Sequence, residues 1–178
     1  KEFSLKIYII MKSFLLFLSL LPFGINSFAQ YTKIDENISI RFEGKHSTAN
    51  DLLKVISNKS IIWLEKIILG KEDCLFGLSK YVNNQKAPIN LVFEKYVRNV
   101  TPPNTIVLEA GHYKKGEVTY YYKISQSTFS DKVKRTNVMY YLMPNNFSDK
   151  LYEFKITSDK YYKLETMNYL EKLVSSAK

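Results

Sequence analysis

Apolar and polar residues alternate most cleanly over residues 117–125, where Val118, Tyr120, Tyr122 and Ile124 share one face. A period of two sends successive side chains to opposite sides of a strand, so this segment predicts a half-buried strand. Residues 37–43 repeat the pattern, with Ile38, Ile40 and Phe42 set against Ser39, Arg41 and Glu43. Residues 151–157 do so again, with Tyr152, Phe154 and Ile156 inward. In 131–143, Val138, Tyr140 and Leu142 are in phase and Val133 is not, which predicts a strand with a bulge near Thr136-Asn137. Cys74, Phe76 and Leu78, then Ile89, Leu91 and Phe93, mark strands over 74–82 and 89–97. The polar, turn-prone stretch 83–88 between them reads as the loop of a hairpin.

Two segments follow the helical period instead. Leu52, Leu53, Ile56, Trp63, Leu64 and Ile67 fall within about 120° at 100° per residue, which predicts a helix over 50–69. Thr48 or Asn50 would cap it, Asp51 sits in its first turn, and Gly70 would stop it. Tyr161, Leu164, Met167, Leu170 and Val174 mark a closing amphipathic helix, with Ser158 as its N-cap. Residues 104–110, after Pro102-Pro103, fit a short helix or a short strand equally well. The order is strand, helix, hairpin, undecided segment, three-strand meander, helix. Alternating strands that are mostly adjacent in sequence predict an α+β domain, a mostly antiparallel sheet covered by two main helices.

The N-terminal region has a different character. Residues 11–30 read MKSFLLFLSLLPFGINSFAQ: a lysine after Met11, an apolar run, then Ser27 and Ala29 as small residues before Gln30. That is the anatomy of a cleaved secretory signal, with the cut between Ala29 and Gln30. The run from Ser13 to Ile25 is 13 residues, short of the roughly 20 that a spanning helix needs. Met11 is the expected start, residues 1–10 an upstream extension, and 30–178 a single globular domain in the periplasm or outside the cell. No segment after the signal is long or apolar enough to span a membrane as a helix.

Composition narrows the chemistry. The 178 residues hold 26 Lys and Arg against 17 Asp and Glu, a net charge of +9. Removing residues 1–29 takes away Lys1, Lys6, Lys12 and Glu2, leaving +7. Only Arg41, Arg98 and Arg135 are arginines. Scattered lysines make a solvated face, whereas base and phosphate recognition favours arginine, so no nucleic-acid partner is expected. Lys132-Val133-Lys134-Arg135 and Lys114-Lys115 are the local basic clusters. A lone Cys74 permits no intrachain disulfide and reads as a buried small hydrophobe.

Catalytic patterns are absent from the sequence. His46 and His112 are 66 residues apart, without HExxH or a His–Cys spacing that would suit a metal. There is no GxSxG, P-loop or GxGxxG. Asp35-Glu36 and Glu72-Asp73 are adjacent pairs whose members would point apart on a strand, and they read as solvated turn charges. No catalytic residue, metal or cofactor is expected. Tyrosine stands out, with runs at 120–122, 140–141 and 161–162. Tyr120, Tyr122 and Tyr140 would join a helix-covered core, placing Tyr121 and Tyr141 together on the opposite face. Left uncovered, that face would be an aromatic patch for a partner, glycan or lipid. Tyr121, Tyr141, Lys132, Lys134 and Arg135 are therefore the candidate binding residues.

The C-terminal half, VTYYYKIS (118–125), RTNVMYYLMPNNFSDKLYEFKITSD (135–159) and ETMNYLEKLVSSAK (165–178), is a three-strand meander followed by a helix. Over about 60 residues its element order and its closing LVSSAK resemble the PsbP-like superfamily of photosystem II extrinsic subunits. The resemblance implies an α/β/α sandwich that works by binding proteins rather than by catalysis, with no catalytic set to carry over. The leading expectation is an exported, non-enzymatic binding or accessory domain, monomeric, acting on a protein partner or envelope component. A carrier of a small apolar ligand is the second, with the tyrosine-rich sheet and the 50–69 helix enclosing a pocket. A hydrolase whose carboxylates converge only on folding is the third.

Overall fold

A computed structural model describes residues 31–54, 56, 58–128, 133–145, 148–160 and 163–177. The signal segment, its cut at Ala29 and Gln30, Lys132 and Tyr161 lie outside the described residues. The strands are β1 (Tyr31–Lys33), β2 (Ser39–Arg41), β3 (His46–Thr48), β4 (Ile61–Leu69), β5 (Glu72–Val82), β6 (Thr105–Lys115), β7 (Val118–Thr128), β8 (Lys134–Leu142) and β9 (Lys150–Ser158). The helices are α1 (Ile89–Val92), which runs on into a π turn over Phe93–Val97, and α2 (Lys163–Ser176). β1 and β2 pair by themselves; the other strands form one seven-stranded sheet ordered β3-β4-β5-β9-β8-β7-β6. Every pairing is antiparallel. The domain is thus α+β with a mostly antiparallel sheet and two helices.

One face of the sheet carries the main core. Phe76, Leu78, Tyr140, Phe154 and Ile156 are all fully buried there, packed with Leu170 and Leu173 of α2 and with Ile38, Ile40 and Phe42 around β2. Tyr113, Tyr120, Tyr122 and Tyr140 form a ring cluster in this core, with neighbouring centroids 5.4–6.5 Å apart. The period-two readings of 37–43, 117–125 and 151–157 place their apolar residues in this core, except Val118, which is exposed at the start of β7. The ends of the tyrosine cluster reach carboxylates: Tyr122 donates to Glu109 at 2.6 Å, and Tyr113 to Glu171.

Several sequence expectations are corrected. The predicted helix over 50–69 is a 3-10 turn at Asn50–Lys54 followed by β4. Asn50 does not cap a helix; its side-chain oxygen accepts the Leu64 amide at 2.8 Å. The reason lies in IIWLEKIIL, a strand buried on both faces. Leu64 faces Ala49 and Leu52 while Ile67 and Leu69 face the main core. Two-sided burial erases alternation, and a continuous apolar run then mimics a helical stripe. β-branched Ile61, Ile62, Ile67 and Ile68 favour the strand.

The predicted strand over 89–97 is α1 and its π turn. Pro88, at φ −64°, enters the helix, and the Arg98 amide closes the π turn on the Phe93 carbonyl at 2.8 Å. Val92 and Phe93 are buried and Leu91 is exposed, so the inward set is helical rather than alternating. β5 pairs with β4 and β9 instead of forming a hairpin with 89–97. The undecided segment after Pro103 is β6. No bulge interrupts β8 at Thr136-Asn137, since its register with β7 and β9 is continuous there. In α2 the buried residues are Thr166, Leu170, Leu173 and Val174, and Leu164 points to solvent. Ser158 ends β9, and its hydroxyl donates to the Lys160 carbonyl at 2.5 Å.

Candidate functional site

The second face of the sheet is only partly covered. Val92 and Phe93 pack there on Met139, Tyr141 and Leu151. Beside them the sheet floor stays open as a groove of about 700 Å³. Antiparallel register defines the floor. One row runs Leu75, Thr157, Asn137, Ser125; the next Gly77, Lys155, Met139, Lys123; the third Ser79, Glu153, Tyr141, Tyr121. Strand parity therefore collects these residues on one face from the consecutive strands β7, β8 and β9 and from the distant β5. Val97, Val100 and Pro102 line one wall, and Ile56, Ile61 and Leu64 line the other.

Lys123 builds the first wall. It is 5% exposed, and its ammonium donates to the Val97 carbonyl at 2.7 Å and the Val100 carbonyl at 2.5 Å. Burial lowers its pKa, and the charge of Glu153 opposes that shift. Carbonyl dipoles thus hold a cation that would otherwise be unpaired on the floor. The polar row is closed on itself. Thr157 donates to the Asn137 side-chain oxygen at 2.9 Å, Asn137 donates to Ser127 at 3.1 Å, and Ser127 meets Thr105 at 3.0 Å. At the aromatic end, the Tyr141 hydroxyl donates to Glu153 at 3.0 Å. Burial, then the charge of Glu153, raises Tyr141 well above the usual phenol range and pushes Tyr81 up to about 12. Both tyrosines are therefore neutral donors at physiological pH.

Glu153 is the one carboxylate among the described lining residues. A pair of acids about 5–9.5 Å apart, which carboxylate hydrolysis needs, is not assembled in this groove. Of the pair Asp35-Glu36, read from sequence as solvated, Glu36 is exposed and Asp35 is a structural tie. Asp35 accepts the amides of Asn37 and Ile38, the Lys80 ammonium at 2.9 Å and the Tyr152 hydroxyl at 2.9 Å. His46 bonds Glu65 at 2.8 Å at the β3–β4 edge, and the His112 ring lies against Tyr121. Cys74 is buried, and burial first, then Glu72 and Asp73, pushes its thiol up to about 12, so it is held as an unreactive thiol.

The sequence-derived binding residues separate. Tyr121 and Tyr141 are direct cross-strand partners on this second face. They do not lie open, because Phe93 of the π turn packs against both, tilted on Tyr121 and edge-on to Tyr141 with ring centroids at 5.4 and 5.8 Å, and Tyr141 is 6% exposed. Arg135 shares their side of β8 but sits six residues away, about 20 Å along the strand. It is buried and paired with Asp159 at 2.8 Å. Lys134 is exposed on the other side of the strand. Sequence reasoning missed Lys123, Glu153 and Lys155. Their only local signal was polar residues at the outward positions of alternating strands, which an exposed sheet face would show equally.

No family model and no curated protein matches the chain. Among solved structures, cyanobacterial PsbP (CyanoP) from Synechocystis sp. PCC 6803 in solution matches with a TM-score of 0.55. The match covers 90% of this chain and 98% of that one, at 12% identity. The fold is PsbP-like. The resemblance read from the C-terminal half thus extends, as architecture, over the N-terminal strands as well. The PsbP-like likeness is one of fold. Among the described residues no helix is long and apolar enough to cross a membrane.

Proposed function

We propose that the chain is an exported, non-enzymatic accessory domain that works by binding, with the groove on the second sheet face as its working site. The observation that carries this reading is the groove itself. A cavity of about 700 Å³ is in the range of small-ligand sites, and its walls set apolar side chains such as Val97, Val100, Ile56 and Ile61 beside polar ones such as Asn58, Thr101 and Thr105. The described lining offers one carboxylate and neither histidine nor cysteine. Such a lining suits retention of a ligand better than bond cleavage. The PsbP-like fold supports the non-enzymatic part, because the resemblance implies work by binding. The signal-like segment 11–30 supports export. The ligand carrier, rather than a protein dock, is the reading the geometry favours.

One observation favours a protein partner as the second reading. β6 is an edge strand of 11 residues with Ile106, Val107 and Leu108 exposed. Long apolar edges accept a further strand from a partner. Native mass spectrometry of protein expressed with its own N-terminal segment and purified gently tests both. A chain beginning at Gln30 with a reproducible small bound mass is expected. A bare chain beginning at Gln30 that co-purifies with one polypeptide would favour the edge-strand reading. An uncleaved chain would overturn export.

A further inference from the structure

Three charged residues line the groove among the described residues: Lys123, Glu153 and Lys155. Lys123 is committed to two backbone carbonyls, and Glu153 accepts the Tyr141 hydroxyl. The Lys155 ammonium has no hydrogen-bond or ion-pair partner among the described residues, although the residue is only partly exposed. It stands mid-floor in β9, between Gly77 of β5 and Met139 of β8. Gly77 leaves the flank of the lysine stem open. A Cβ there would meet only Leu64 Cδ2, at 3.4 Å, so backbone packing does not demand glycine. The formal charge of the lining is +1, from two lysines and one glutamate.

We propose that the groove binds a single-chain amphiphilic monoanion, with its acidic head on Lys155 and its hydrocarbon chain along Ile56, Ile61, Leu64 and Leu75. The inference rests on the groove being the working site, as set out above. An ammonium in a largely apolar groove gains most from a charge-assisted hydrogen bond. A neutral amphiphile would bury the same cation without compensation. The neighbouring Thr157–Asn137–Ser127 row is already bonded internally, so it calls for no second polar group on the ligand. Glu153, two residues along the same strand face, disfavours a second negative charge near the head.

The probe pair is dodecanoate and dodecanol, titrated against the full chain by calorimetry and native mass spectrometry. Dodecanoate is expected to bind at one site, at least about tenfold tighter than dodecanol. Lys155→Met should remove that preference, weakening dodecanoate and tightening dodecanol, since no ammonium is then buried without a partner, and Lys155→Arg should retain it. Equal affinity for the two probes in the unaltered chain, or an undiminished preference in Lys155→Met, overturns the assignment to Lys155. If neither probe binds while the gently purified protein still carries a small bound mass, the amphiphile assignment is overturned and the groove reading stands; if neither probe binds and the purified chain is bare, both fail. If the protein ignores monomeric dodecanoate but sediments with phosphatidylglycerol vesicles, the anion is read at a bilayer and the single-chain assignment is overturned.

Discussion

Asp35 shows how much one side chain ties together. Its carboxylate joins the turn after β1 to β5 through Lys80 and to β9 through Tyr152. Burial works to raise its pKa, but the Lys80 ammonium, the Asn37 amide and the Tyr152 hydroxyl outweigh it and hold the carboxyl below its usual value. Asp35→Asn keeps the shape and removes the charge. The change should cost about 2 kcal/mol, a figure that allows for the partial exposure of Lys80. A lower urea midpoint at unchanged m-value would show it. Adjacent acids in a lysine-rich context gave no hint of this role. Two of its partners are the neighbouring amides of Asn37 and Ile38, but the two side chains lie 45 and 117 residues away, and those hydrogen bonds are invisible until they arrive.

At the scale of elements, α1 and its π turn decide whether the second face is open or closed. Phe93 is 1% exposed and packs its ring against Tyr121 and Tyr141. Phe93→Ala should destabilise by about 3 kcal/mol and uncover both tyrosines. Chemical denaturation would give the first, and faster hydrogen exchange over 89–104 the second. Unchanged exchange there would mean that the turn is held by Lys123 and its two carbonyls rather than by the aromatic contact. This element was misread because Ile89, Leu91 and Phe93 alternate by chance within a helical segment of nine residues. Short segments carry too few residues to separate a period of two from one of 3.6. β4 was misread for the opposite reason, since burial on both faces removed its alternation. The strands with one solvated or polar face, β7 and β9, were legible.

Across the whole molecule, carboxylates at the sheet's periphery act in one direction. Hydrogen bonds from Lys150 and Asn37 lower Glu36; the Lys163 and Tyr122 hydrogen bonds lower Glu109. Burial would raise Glu171, but Lys115 and Tyr113 overcome it and hold it down. With Asp35, these groups join β1–β2, β6 and α2 to neighbouring elements. Depressed folded pKa values give stability that is present above the ordinary carboxylate range, 3.8–4.5, and is lost as pH falls through the folded values. Glu65 works the other way: burial raises it, despite His46 and Trp63, so its share is lost as pH rises. Four groups against one, together with a net charge of +9 that grows on acidification, set the sign. The thermal midpoint should be level from neutral pH to about 5 and drop below about 4. A midpoint that rises on acidification would contradict this balance.

By itself the sequence determined the class of the domain, the meander of β7, β8 and β9, the closing helix and the tyrosine core. Each follows from contacts between neighbours in the chain or from a period of two on a sheet with one buried face, both written in local order. Tertiary structure alone decided that β9 enters between β5 and β8, that 89–97 folds over the tyrosines, and that Lys123, Glu153 and Lys155 share one groove. The β5–β9 pairing joins residues 68–82 positions apart and has no local signature, because the hydrogen bonds that make it are backbone bonds common to every residue.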